Sequence, residues 1–226
     1  MKTHLTIVLI FCSFVLKAQE SATITGLKNK LDTASTLKTK TSLLGQLSQA
    51  YAGIQKFDSA IAYTDKMLTA NAQIDDKDKL ASINLLMSQH YLQQGKTDGA
   101  YPYLSKAEKL LEKSNDITQI SGLNILFGAY YFYKKEIKKG EEYFKRNIDL
   151  YNQGKAINKN LVMISYQNLF STSFNQNNLK NTFEALNNYY DFVKNNFPDK
   201  LSDANFLLGN FYLMSRELLD TFLRLR

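Results

Sequence analysis

Leu47-Ser48-Gln49-Ala50-Tyr51 followed by Ala60, Met87-Ser88-Gln89-His90-Tyr91 followed by Ala100, and Phe127-Gly128-Ala129-Tyr130-Tyr131 followed by Gly140 are three copies of one pattern, 40 residues apart. In each, a large apolar residue precedes a small one, and a tyrosine stands three positions after the small one. A second small residue follows nine positions after the tyrosine. A fixed period of this length means one supersecondary unit copied and stacked. Small residues let two helices approach closely, and the tyrosine fills the space left beside them.

Outward from these copies, apolar residues recur at three- and four-residue spacing, as in Leu44, Leu47, Tyr51; Leu104, Ala107, Leu111; and Phe144, Ile148, Tyr151. That spacing predicts helix pairs over 41–54 and 57–72, 78–94 and 97–113, 117–134 and 137–153, and 159–176 and 179–197. A fifth segment is expected to start at Leu201 and turn near Arg216. The breaks inside pairs are short and polar, such as Gln55-Lys56 and Gly95-Lys96, which forces antiparallel neighbours. Asp116 and Ser202 are candidate helix N-caps. Ile24, Leu27, Leu31 and Ala34 predict a lone capping helix within 20–40, ahead of a repeat domain over 41–226.

Composition agrees with an all-helical chain. Only Pro102 and Pro198 and ten glycines interrupt 226 residues, and helix breakers are costly in a helix interior. Aromatic content is 12% with no Trp, too rich for a disordered chain. Residues 1–19 read as a secretory signal peptide: a basic start, an apolar run from Leu5 to Leu16, then a polar exit with cleavage near Ala18 or Gln19. The run is too short to span a bilayer, which needs about 20 residues. Phe11 before Cys12 does not fit a lipoprotein signal. Cleavage removes the single cysteine, so no disulfide or cysteine metal site is expected in an exported product. It also takes Lys2 and Lys17 from 28 basic residues set against 21 acidic ones, leaving a surplus of five. That surplus suits an acidic partner without naming one.

The pattern resembles the tetratricopeptide repeat (TPR), through Leu47, Ser48, Tyr51 and Ala60; Met87, Ser88, Tyr91 and Ala100; and Phe127, Gly128, Tyr131 and Gly140. A fourth copy is degenerate, with Leu169 in place, Phe170 for the small residue and Ser173 for tyrosine. A fifth offers Leu208, Gly209 and Tyr212. The resemblance covers roughly residues 41–226 and implies an all-α, right-handed α-solenoid of antiparallel helix pairs, about four and a half repeats long. The 40-residue period exceeds the usual 34, and longer units of this sort resemble sensor regions of bacterial envelope signalling proteins.

In such a family the first helix of each pair lines an inner groove. Carried over, the lining is Gln49 and Gly53; Leu85, Gln89 and Gln93; Ile125, Ala129, Phe132 and Tyr133; Gln167, Ser171, Phe174 and Asn175; and Phe206, Asn210 and Leu213. Of these, Gln49, Gln89, Gln93, Ala129, Phe132, Tyr133, Phe174, Asn175 and Asn210 are the candidate partner-binding residues. Amides that hydrogen-bond a peptide backbone and aromatic rings that stack on its side chains fit that role. The carboxylate-binding lysine and asparagine of some family members are replaced by Gly45 and Gln49.

Other chemistry is weakly represented. Tyr130 to Lys135 mixes aromatics with lysine, which can bind single-stranded nucleic acid. Consecutive helical residues diverge by about 100°, however, so those rings serve different faces, and no nucleic-acid partner is expected. His90 has no second histidine or cysteine for zinc and reads as a packed or half-exposed residue. Asp75, Asp76 and Asp78 lack the rest of a calcium loop. No phosphate loop or nucleophile elbow occurs, so neither cofactor, metal nor catalysis is expected. Leu218, Leu219, Phe222 and Leu225 form a terminal apolar stripe that docks on the fifth repeat, binds another subunit, or marks a truncated chain. The resulting expectation is a non-enzymatic, exported peptide- or protein-binding scaffold without a stable membrane span. The alternative is a sensor module of an envelope two-component system.

Overall fold

The computed structural model describes residues 22–176 and 178–224, with side chains of the last helix described up to Leu213. The signal-peptide reading falls on 1–19, outside the described residues. So does Leu225, and the side chains of Leu218, Leu219 and Phe222 lie beyond those described.

The described residues form α1 (22–33), α2 (Leu37–Gly53), α3 (Phe57–Asn71), α4 (Lys77–Gln93), α5 (Thr97–Leu111), α6 (Ile117–Tyr133), α7 (Ile137–Asn152), α8 (Lys159–Asn175), α9 (Leu179–Asn196) and α10 (Leu201–Arg224). A short 3-10 turn, Pro198–Lys200, precedes α10. No strand occurs among the described residues. The helices fall into two compact units, one ending at Glu112 and the other starting at Lys113. In each, consecutive helices pack in pairs: α2 on α3 and α4 on α5 in the first unit, α6 on α7 and α8 on α9 in the second.

Side-chain caps start the first helix of each pair. Thr36, Asp76, Asp116 and Asn158 accept from the backbone N–H of Thr39, Lys79, Gln119 and Asn160. Asp116 therefore caps as expected. Asp76 is a cap as well, which accounts for the acidic link at 75–78. Ser202 is not one: α10 begins a residue earlier, out of the 3-10 turn. The turn anticipated near Arg216 is also absent, since α10 runs unbroken to Arg224.

The ends of these first helices share one geometry. The N–H groups of Lys56, Lys96 and Glu136 each donate 2.9 Å to the carbonyls of Tyr51, Tyr91 and Tyr131. The residue before each donor is left-handed: Gln55 at φ 58°, Gly95 at 76° and Lys135 at 65°. This is the Schellman ending, which satisfies orphan helix carbonyls while reversing the chain. The degenerate fourth copy keeps the bond, from Asn178 N–H to the Ser173 carbonyl at 3.2 Å.

Just above each turn lies a stacked tyrosine pair. Tyr51 packs on Tyr63 at 5.3 Å, Tyr91 on Tyr103 at 5.6 Å and Tyr131 on Tyr143 at 5.6 Å, all within 18° of parallel. A cation sits over the second ring of every pair: Lys66 at 5.0 Å, Lys106 at 5.5 Å and Arg146 at 4.1 Å. Ala60, Ala100 and Gly140, where paired helices meet, are buried. A Cβ added at Gly140 would come within 2.9 Å of the Gly128 carbonyl. The fifth copy differs. Gly209 is exposed, a Cβ there would meet nothing within 4 Å, and Tyr212 is 52% exposed. Buried Phe211 holds the core contact instead.

Candidate functional site

Each unit carries a recess between its two first helices, built from corresponding positions. In the first unit Gln49, Ala52 and Gly53 of α2 face Leu86, Gln89, His90 and Gln93 of α4 around about 220 Å³. In the second, Ala129, Phe132 and Tyr133 of α6 face Asn168, Ser171 and Thr172 of α8 around about 130 Å³, with Phe144 of α7 beneath. Both lie toward the C-terminal ends of the helices that line them.

Of the nine candidate residues, Gln49, Gln89 and Gln93 meet in the first recess and Ala129, Phe132 and Tyr133 in the second. The other three line neither. Phe174 is 41% exposed and leans on Phe170 at 6.0 Å. The Asn175 amide turns back to donate to the Ser171 carbonyl at 2.8 Å. Asn210 is exposed on α10. The aromatic run also divides as helical geometry requires: Tyr130 is buried, Tyr131 joins the tyrosine stack, and Phe132 and Tyr133 turn to the recess.

What lies under each recess sets its chemistry. Below the first, Ser48, Thr64 and His90 form a buried network. Ser48 Oγ is 2.6 Å from Thr64 Oγ1, 2.7 Å from His90 Nε2 and 2.9 Å from the Ala60 carbonyl. Thr64 donates to that same carbonyl at 3.0 Å. Gln93 Oε1 faces His90 Nδ1 at 3.5 Å. Ser48 donates to the Ala60 carbonyl, and the imidazole tautomer sets the direction of its bond to Nε2. Burial holds the His90 pKa below the usual histidine range, opposed by the hydrogen bond to Gln93. Ser48 and His90 have the spacing of a nucleophile and its base. Ser48 is 0% exposed, however, so no substrate carbonyl reaches its oxygen.

Below the second recess the same three positions read Gly128, Phe144 and Thr172. Gly128 follows Ser48 by 80 residues and Phe144 follows Thr64 by 80. Thr172 follows His90 by 82, because α8 begins 42 residues after α6 whereas α4 and α6 begin 40 apart. The Phe144 ring occupies the space over Gly128, where a Cβ would come within 2.3 Å of it. A polar floor in one unit is thus an aromatic floor in the other. Nearby, Asn124 donates to Asn147 Oδ1 at 2.9 Å, and Asn147 donates to the Ser121 carbonyl and Ser165 Oγ, a buried amide link across α6, α7 and α8. Sequence reasoning missed this link and the floor beneath the first recess. The signal for the floor was the repeat register, in which Ser48, Thr64 and His90 correspond to Gly128, Phe144 and Thr172, one larger residue offset by two smaller ones.

Among the described residues no group of three or more His, Cys, Asp or Glu could hold a metal ion, and no helix is long and apolar enough to cross a membrane.

Neither a family profile nor a curated protein matches the sequence. Solved structures do. BtubC (BKLC) from P. vanneervenii superposes with a TM-score of 0.65 at 12% identity, covering 80% of this chain and 76% of that one. A signal transduction ATPase with numerous domains, carrying a tetratricopeptide repeat sensor, from Pyrococcus horikoshii gives a TM-score of 0.65 at 17% identity over 84% of this chain. This chain spans only 29% of that protein's length. At such identities the likeness concerns the fold: repeated helix pairs of the kind found in a TPR sensor protein.

Proposed function

We infer that the chain is an exported, non-enzymatic scaffold that holds a peptide or protein segment along the inner face of a right-handed TPR-like solenoid. The observation that carries this reading is the meeting of Gln49, Gln89 and Gln93 in one recess and of Ala129, Phe132 and Tyr133 in its counterpart. Concave sites with an apolar lining and a few convergent polar groups are where ligands bind. In this reading the chain performs no chemistry of its own and needs no metal or cofactor. Nucleic acid is not its partner, since each tyrosine stack has a cation over one ring where a base would lie. Exposed Phe206 and Leu213 on α10 supply a face for self-association.

A photo-crosslinking side chain at Gln93 or Tyr133, compared with one at exposed Glu108 or Lys145 on second helices, tests the groove. Discrete protein adducts from the first pair and none from the second are expected in cell extract. Equal adducts from all four positions reject the groove. A second reading, a sensor module of an envelope signalling system, is favoured by the likeness to a TPR sensor. Under it, ligand occupancy of the recess alters the activity of a partner protein rather than merely retaining it.

A further inference from the structure

The second unit's recess has a more specific character than a generic groove. Its lining is Ala129, Phe132, Tyr133 and Phe144, edged by Asn168, Ser171 and Thr172, with Tyr133 50% exposed at the rim. At about 130 Å³ it is the size of one side chain; a benzene-sized ring fits an apolar cavity of about 150 Å³. Asn168 Nδ2 and the Thr172 hydroxyl are spent on the Ile164 and Leu169 carbonyls in their own helix. Apolar contact therefore dominates what the recess offers.

The charges nearest it are mainly lysines. Helix α6 carries no charged residue and α8 carries only Lys159. The turn that follows Tyr133 brings exposed Lys134, Lys135, Lys138 and Lys139 to this end of the unit, and α9 starts there with Lys180. Glu136, the acidic residue of that turn, pairs with Lys139. Glu141 and Glu142 lie a turn or more further along α7.

We propose that this recess anchors a single large apolar side chain, of Phe, Leu or Met size, presented by an acidic peptide segment whose carboxylates face the 134–139 turn. The proposal rests on the groove reading and names the ligand class of one of its two recesses. The corresponding recess of the first unit, lined by three glutamines over a histidine, is not an apolar anchor.

Calorimetric titration of the folded chain with a blocked octapeptide, Gly-Asp-Glu-Phe-Leu-Glu-Asp-Gly, tests this. Saturable binding is expected, at least tenfold weaker when Phe-Leu becomes Ala-Ala or when the four acids become lysines. It weakens as salt rises from about 50 to 500 mM, as screened attraction must. Ser171→Leu fills the recess from an exposed position, so it spares the core and lowers affinity at least tenfold. Thr69→Leu, exposed on the second helix α3 and outside both recesses, leaves affinity unchanged. Circular dichroism confirms that both variants fold. Absence of binding, equal binding of the lysine peptide, or indifference to Ser171→Leu overturns the proposal. Crosslinks confined to Gln93 and Tyr133 alongside such a failure overturn the anchor alone, whereas uniform crosslinks remove the groove beneath it.

Discussion

Two glycines separate packing from mere presence of a small residue. At Gly128 a methyl group would come within 2.3 Å of the buried Phe144 ring and push it toward the recess that it lines. Gly128→Ala is expected to cost about 2 kcal/mol, in the range of core overpacking. Gly209 sits exposed in α10 with nothing within 4 Å of a Cβ. Gly209→Ala should therefore gain up to about 1 kcal/mol, the helix-propensity difference. Denaturant midpoints for the two variants decide this; losses of similar size would mean that Gly209 also marks a close helix approach. His90 makes a second residue-level prediction. Burial lowers its folded pKa below the unfolded value of about 6.5. Its contribution to stability is thus complete above pH 6.5 and is lost as pH falls through the folded value. In the protonated imidazole Nε2 donates to Ser48 Oγ, while the Ser48 hydroxyl keeps its bond to the Ala60 carbonyl. Thermal midpoints should fall between pH 7.5 and 5 in the native chain. The fall should shrink in His90→Gln, whatever that variant's absolute stability. Asp116, also shifted down through bonds from Gln119, acts below about pH 4 and leaves that window clear.

At the scale of the helical hairpin, the turns carry an uneven load. Gly95, Gln55 and Lys135 occupy the same left-handed position, yet only the first is glycine. Left-handed backbone costs an L-residue about 1–2 kcal/mol. Lys135→Gly should therefore raise stability by about 1 kcal/mol, read as a higher urea midpoint at unchanged slope; no rise would show that the turn is held by contacts beyond the Schellman bond. The hairpins were largely legible in the sequence because Tyr51, Tyr91 and Tyr131 serve twice. The side chain stacks on the partner helix, and the carbonyl accepts the turn-closing bond. Their partners Tyr63, Tyr103 and Tyr143 keep the same register and went unread. A tyrosine on the outer part of a second helix looks like any half-exposed aromatic until its cation, three residues on, is seen above the ring. The fifth hairpin was misread because Leu208, Gly209 and Tyr212 match the pattern in residue type. Burial chose Phe211, and residue type alone carries no record of which face of a helix meets its neighbour.

For the molecule as a whole, the repeat sets position and leaves chemistry to the residues that fill it. Which side chains line the two recesses followed from counting along the register, so six of the nine candidates line one recess or the other. Phe174, Asn175 and Asn210 did not, because α8 satisfies its own end and α10 has no described first-helix successor to form a third recess. The character of each recess was not legible, since it depends on residues from two or three helices that meet only after folding. Ser48, Thr64 and His90 on one side, and Gly128, Phe144 and Thr172 on the other, are alternative solutions to one space-filling problem. Replacing a single member leaves a void, a collision or a stranded hydroxyl. Exchanging the three as a set follows a recipe already written elsewhere in the same chain. New specificity can thus arise by copying a compatible trio between sockets, without passing through a broken core.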